Sequence, residues 1–258
     1  MNWLKVTVVW VALLSCAQSF ASKPHIVSLD LCTDWLLMSV ASEHDVTLSA
    51  LSQDYPPPFD SKRNQHAYHY GSLEEIIALA PDLVLVGEYN AWALRSRLAQ
   101  LGIRVEVLPL PDSLDKIDRQ QALLFELLDL PLEQNDRALN DATSNVHSTE
   151  ISVLKIGANG IATGRETFES SLIERAGFTN YIRASGYQTV DLETVIANPP
   201  DRVIFSSPKT PALANLVINH RVWQLLVSPE HLWYSDDLEW QCPGPWTFNL
   251  LEHLSQWQ

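Results

Sequence analysis

The sequence predicts an α/β protein built as two similar lobes joined by one long helix. Three observations carry this expectation. A helix–strand segment occurs twice; the apolar runs are continuous rather than alternating; and a glycine-free stretch at mid-chain repeats its leucines at helical spacing.

The duplicated segment reads SLEEIIALAPDLVLV at 72–86 and DLETVIANPPDRVIF at 191–205. At a constant offset Leu73 matches Leu192, Glu74 matches Glu193, Ile77 matches Ile196, Pro81-Asp82 matches Pro200-Asp201 and Val84 matches Val203. Leu73, Ile76, Ile77 and Ala80 fall on one helical face, and Pro81 stops the helix. The run that follows, LVLVG, is apolar without alternation, which is the pattern of a strand covered on both faces in a parallel sheet. Two copies of such a unit imply two Rossmann-like lobes, placed at 22–112 and 148–258.

The other elements follow in order. His25–Leu31 reads as a buried first strand, Thr33 to Ala41 as a helix and Val46–Leu51 as a second strand. Ala91–Leu101 is a helix ended near Gly102, and Ile103–Leu108 is a strand. In the second half Ile151–Ile156 is a strand, Glu166–Ala176 a helix closed by Gly177, Val203–Ser206 a strand and Trp246–Leu254 a terminal helix. Between the halves, 113–147 contains Leu114, Ile117, Leu123, Leu124, Leu127 and Leu128 at helical spacing and a single proline, Pro131. A helix of some thirty residues would be a rod of about 45 Å, which Pro131 could kink or split. Such a connector predicts small closing motions of the lobes.

Composition excludes several classes. The chain has 258 residues and a net charge of −14, which argues against nucleic acid and against an anionic membrane face. Residues 1–21 read as a signal peptide: Lys5, an apolar run from Val6 to Leu14, and small residues Ser19 and Ala21 before the cleavage point. Leu13-Leu14-Ser15-Cys16 is a loose lipobox, a less favoured alternative. Either reading sends the chain out of the cytoplasm. Cleavage leaves Cys32 and Cys242, which could form a disulfide in an oxidising compartment or remain two separate thiols. If bridged, they would tether the lobes.

The opening IVSLDLCTDWL, GSLEEIIALAPDLVLVG, the linking helix, ATGRETFESSLIERAGFTNYI, DLETVIANPPDRVIF and the final LWYSDDLEWQCPGPW together resemble the helical-backbone class of periplasmic solute-binding proteins of ABC importers. That class serves cobalamin, ferric siderophores and haem. Asp54-Tyr55-Pro56-Pro57 is similar to a stretch in its cobalamin-binding branch. The resemblance implies a non-enzymatic, monomeric periplasmic protein without catalytic residues or cofactor. It would hold a metal chelate between its lobes and deliver it to a permease dimer with its ATPase. It also implies that Glu74 and Glu193 dock onto the two permease subunits, besides favouring the N-termini of their helices.

Ligand contacts are expected in loops that follow strands. Tyr55, Tyr68, His69, Tyr70, Tyr89 and Trp92 cluster in such loops of the first lobe, and aromatic rings give large contact area at low entropic cost. In the second lobe the candidates are Arg165, after Thr163-Gly164, with Tyr187, Trp233, Tyr234 and Trp240. Any of these could instead pack its own loop, and Arg165 could form a surface ion pair. His66 and His69 are spaced for a metal ion but are better read as two loop histidines. No HExxH or CxxC accompanies them. A hydrolase is disfavoured by the absence of a GxSxG elbow or a Gly-rich phosphate loop, and Ser28 and Ser49 show no base partner. The expected ligand order is corrinoid, ferric siderophore, haem, then free metal. A ligand-binding sensor module is the alternative from another class.

Overall fold

The computed structural model describes residues 23–40, 44–59, 65–131, 150–206, 212–235 and 237–257. The expected leader, with its lipobox cysteine, lies outside them. The first lobe runs β1 His25–Ser28, α1 Leu31–Val40, β2 Asp45–Ser49, α2 Leu51–Asp54, β3 Ala67–His69, α3 Leu73–Ala78, β4 Leu83–Gly87, α4 Trp92–Gln100 and β5 Val105–Leu108. The connector is α5, Leu114–Leu127. The second lobe runs β6 Ser152–Gly157, β7 Ile161–Thr163, α6 Phe168–Arg175, β8 Thr179–Asn180, β9 Tyr187–Thr189, α7 Leu192–Ala197, β10 Arg202–Ser206, α8 Val222–Leu226, β11 Leu232–Ser235, α9 Asp237–Gln241 and α10 Thr247–Gln256.

The first sheet is parallel throughout, in the order β3-β2-β1-β4-β5. Continuous apolarity has the expected consequence, burial of both faces. Ile26, Leu48, Leu83 and Leu85 point into a core with Trp35, Leu36 and Leu37 of α1. Val27 and Val84 point the other way, against Ile76 of α3 and Leu98 of α4. The second sheet is mixed, in the order β11-β10-β6-β7-β9, with β8 also on β6. Val153 and Ile204 pack on Phe168, Leu172 and α10, while Leu154, Ile156, Val203 and Phe205 pack on Val195 and Trp223.

The two copies of the repeat fold alike. The helix α3 is capped by Ser72, whose hydroxyl accepts from Glu75 N at 3.1 Å, and α7 by Asp191, whose carboxylate accepts from Glu193 N at 3.1 Å. These caps satisfy amide donors that a helix start leaves unpaired. Each helix is followed by a strand, β4 or β10, that pairs with the first strand of its lobe.

The helix α5 departs from the expected thirty-residue rod. It stops at Leu127, because Asp129 adopts a left-handed backbone (φ 50°) and Pro131 disfavours helical geometry at Leu130. The rest of the expected connector, 132–149, lies outside the described residues. The fourteen residues that are helical nonetheless touch both lobes. Leu114 and Ile117 are in the second lobe's core, and Leu124 and Leu128 are in the first lobe's core.

A second segment makes the same crossing in reverse. Trp240 lies in the second core, Cys242 and Trp246 in the first, and Leu250, Leu251 and Leu254 again in the second. Trp246 meets Trp35 edge-on at 5.7 Å and Phe59 at 5.2 Å. Its indole folds over Gly244, where a Cβ would lie 2.4 Å from Trp246 Cη2, so only glycine fits. Cys32 in the first turn of α1 is bridged to Cys242, with Cα atoms 5.0 Å apart. The chain thus passes between the cores after the last strand of each lobe: β5 ends at Leu108 and the chain enters the second core at Leu114, and β11 ends at Ser235 and the chain enters the first core at Cys242.

The bridge spans 210 residues, so its loss frees a long loop in the unfolded chain. A Cys32→Ser/Cys242→Ser variant is expected to lose about 2–5 kcal/mol of stability by chemical denaturation. Intact mass under non-reducing conditions checks the bridge directly, since an unbridged chain would be heavier by two hydrogens.

Candidate functional site

The first lobe reverses its winding between β1 and β4, where open α/β sheets form a crevice at the C-terminal ends of their strands. Asp30 fills this switch point. One carboxylate oxygen accepts from Thr33 N at 3.1 Å, and the other accepts from Thr33 Oγ1 at 2.9 Å and from Gly87 N at 2.6 Å. A Cβ on Gly87 would lie 3.3 Å from that second oxygen, so the small residue lets the β4 loop close on Asp30. Asp34, one turn into α1, reaches β2 instead. Its oxygens accept from Ser49 N at 3.0 Å and Ser49 Oγ at 2.7 Å. Burial pushes its carboxyl up to about 7; hydrogen bonds from Ser28 and Ser49 pull the other way, and the neighbouring Asp30 charge adds to the rise.

Above this floor lies a cavity of about 420 Å³ at the ends of β2 and β3, lined by Leu29, Ser49, Leu51, Asp54, His69 and Tyr70. His69 is nearly fully buried. Its Nδ1 accepts from Gly71 N at 3.0 Å, which leaves the ring N–H on Nε2, donating to Ser28 O at 2.6 Å. Both nitrogens are thus used within the lobe, which corrects the expectation that His69 offers a ligand or a metal a free nitrogen. His66 is lowered by burial, and the pair presents no joint site. Among the described residues no cluster of three or more His, Cys, Asp or Glu is placed to hold a metal ion.

Four of the expected aromatic residues stand exposed at this edge. Tyr55 follows α2, Tyr70 follows β3 and is 84% exposed, and Tyr89 and Trp92 follow β4 at 68% and 66%. Trp92 is held by Arg95, whose guanidinium carbon lies 3.9 Å from the ring centroid. Arg95 is itself fixed by donating to Glu88 O at 2.9 Å. Tyr68 packs partly against the first core instead.

The second lobe places its candidates differently. The chain reverses at Asn159-Gly160, so β7 runs antiparallel to β6, pairing Ala162 with Ile156. Thr163, Gly164 and Arg165 therefore head back toward the N-terminal end of β6, as does Tyr187, which pairs with Thr163. Arg165 lines a separate cavity of about 300 Å³ with Glu174, Asn180 and Arg183. Arg165 and Tyr187 thus lie away from the C-terminal ends of β6 and β10. Trp240 is 1% exposed, donating from Nε1 to Ser235 Oγ at 2.8 Å. Trp233 packs on Trp257 at 5.5 Å in the same core. Both serve the core, contrary to expectation. Tyr234 stacks on Phe205 at 4.8 Å and keeps part of its surface.

Residues not anticipated from sequence occupy the second lobe's edge. Exposed Ile161, Leu213 and Leu216 surround the turn after β6, where Gly160 packs on Val217. The Asn159-Gly160 pair was a legible turn signal; its effect on strand direction was not. Beneath this edge Lys155 is buried with Glu169 at 3.8 Å, donates to Ser206 Oγ at 2.8 Å and lies 5.2 Å from the Trp240 ring centroid. Glu74 and Glu193 are exposed in the first turns of α3 and α7, at equivalent positions of the two repeats.

With this geometry in hand, the class of fold is that of two-lobed periplasmic solute-binding proteins. In particular, a possible iron-binding periplasmic solute-binding protein from Staphylococcus epidermidis superposes with a TM-score of 0.71 at 20% identity, covering 92% of this chain and 98% of that one. The periplasmic vitamin B12 binding protein of Vibrio cholerae gives 0.67 at 18% identity, covering 91% and 96%. A periplasmic heme binding protein from Pseudomonas aeruginosa gives 0.67 at 20%, covering 90% and 91%. No family model matches the chain, and no curated protein does. Among the described residues no helix is long and apolar enough to cross a membrane.

Asp34 makes stability depend on pH. In the folded chain it keeps its proton up to about 7, whereas the unfolded carboxyl releases it near the ordinary 3.8. The folded state then binds more protons across that window, so stability falls as pH rises through it. Asp34→Asn removes this contribution. Denaturation midpoints between about pH 5 and pH 7.5 should therefore fall less in the variant than in the wild type. Equal slopes would show that Asp34 titrates as an ordinary carboxyl.

Proposed function

We propose that the protein is the periplasmic substrate-binding component of an ABC importer, capturing a bulky metal chelate between its lobes and handing it to a membrane permease. The observation that carries this is the exposed apolar surface at the strand ends of both lobes. Tyr55, Tyr70, Tyr89 and Trp92 stand exposed in loops of the first lobe, and Ile161, Leu213 and Leu216 stand exposed around the turn after β6 in the second, and the two lobes share α5 and the C-terminal segment. Flat aromatic and aliphatic surface of this kind suits a large, rigid, weakly charged ligand. Similar folds are named for vitamin B12, heme and Fe3+-hydroxamate, which supports a chelate over a small polar solute. A corrinoid such as cobalamin is the preferred ligand and a ferric siderophore the next. The exposed Glu74 and Glu193, one on each repeated helix, are the proposed contacts to the two permease subunits. Their matched placement on the two repeats suits a two-fold partner.

Calorimetric titration of the mature protein with cyanocobalamin, a ferric hydroxamate and haem tests the reading. Tight one-to-one binding of one of them supports it, and failure of all three removes it. Trp92→Ala is expected to weaken that binding roughly tenfold, as loss of an aromatic anchor does. Reversing charge at both Glu74 and Glu193 should abolish uptake in cells while leaving calorimetric affinity unchanged. Surviving uptake would rule out docking through them.

A further inference from the structure

The cavity beside β2 and β3 has a charge character distinct from the rest of the cleft. Of the residues lining it, Asp54 alone carries a fixed charge, and that carboxylate forms no hydrogen bond or ion pair with any described residue. Two of the cavity's other polar side chains are already committed: Ser49 donates to Asp34, and both His69 nitrogens are used within the lobe. Tyr70 on the wall stands largely in solvent, and Tyr55, next to Asp54 in sequence, is about half exposed. Two cations that could serve the cleft from elsewhere are occupied. Arg95 is stacked on Trp92 and bonded to backbone oxygens, and Lys155 is buried with Glu169. An unpaired carboxylate beside exposed aromatic faces is the arrangement that attracts an organic cation, through a charge-assisted hydrogen bond and the ring quadrupoles. Among the described residues nothing cationic on the wall offsets Asp54, so the arrangement disfavours carboxylate and catecholate groups.

We infer that this cavity receives a positively charged, nitrogen-bearing appendage of the bound chelate, with Asp54 as the residue that selects it. The inference rests on the proposed capture of a metal chelate and adds the charge class of that chelate. It places specificity in a side pocket of one lobe rather than on the aromatic platform, which any flat ligand could use.

The test compares one chelate with and without the cation. A ferric trihydroxamate carrying a free primary amine, and the same chelate N-acetylated, are titrated into the wild type and into Asp54→Asn. If cyanocobalamin or haem is the chelate that binds, its amine-tailed and acetylated conjugates are compared in the same way. Asp54 is exposed and pairs with no described residue, so the variant should melt as the wild type does. The amine form is expected to bind the wild type about tenfold more tightly, with the preference shrinking as salt is raised and vanishing in Asp54→Asn. Equal binding of the two forms to the wild type, or a preference that survives in Asp54→Asn, overturns the inference while leaving chelate capture intact. If no chelate of any kind binds the wild type, the transport reading falls, and the inference falls with it.

Discussion

Leu114 and Ile117 sit in the core of the second lobe, and Leu124 and Leu128, on the same short helix, sit in the core of the first. Burying each such side chain is worth about 1.5–3 kcal/mol, so the lobes cannot part without exposing one end of α5. The segment from Trp240 to Leu254 repeats the constraint in the opposite direction, and the Cys32–Cys242 bridge makes it covalent. Two shared segments and a disulfide leave little freedom for a wide hinge. If a ligand binds between the lobes as proposed, the gap is largely set before it arrives, which favours a rigid ligand that fits an existing gap over a small one that must be enveloped.

Beneath this preset gap the two lobes solve the same problem with different chemistry. Strand ends that face a cleft leave polar groups at the margin of the core, and buried polar groups must find partners. In the first lobe two carboxylates do this work. Asp30 joins β1 to β4 through Gly87, and Asp34 joins α1 to β2 through Ser49. In the second lobe a buried ion pair, Lys155 with Glu169, underlies Ser206. A buried pair is weak evidence for stability, because desolvation offsets most of its attraction. Its consequence here is specificity of arrangement: Lys155, Glu169, Ser206 and Trp240 are held together, which explains why Trp240 is unavailable to a ligand.

Much of the fold was legible in the sequence, and the physical reason is periodicity. The repeat showed itself because both copies must place a capped helix and a doubly covered strand against the first strand of their lobe, so the same apolar positions recur. The gathering of the first lobe's aromatic loop residues at one sheet edge was legible for a related reason. In an all-parallel sheet every strand ends at the same edge, so the loops that follow strands collect there. That rule failed in the second lobe. The strand β7 is antiparallel, and the loop after it lies toward the opposite edge, carrying Arg165 and Tyr187 with it. Trp233 and Trp240 were misplaced because a tryptophan near a strand end fits a core as readily as a platform, and only the crossing of the C-terminal segment between cores decides which. Nor does sequence reveal that His69 spends both nitrogens at home, since its partners, Ser28 O and Gly71 N, are backbone groups with no signature.

These displacements change where discrimination between ligands must come from. With Arg165 turned away, Lys155 paired and Arg95 fixed on Trp92, the described cleft surface has aromatic area and acceptors but little free positive charge. Aromatic area is permissive, because any planar or macrocyclic ligand gains from it in proportion to contact. Selectivity between ligands of equal area has to come from groups that some of them satisfy and others leave buried and unpaired. In the first lobe Asp54 is such a group, and the polar floor beneath it is already self-satisfied. On the proposed reading, a ligand is sorted less by how well it covers Tyr89 and Trp92 than by what it brings to the side cavity at the ends of β2 and β3.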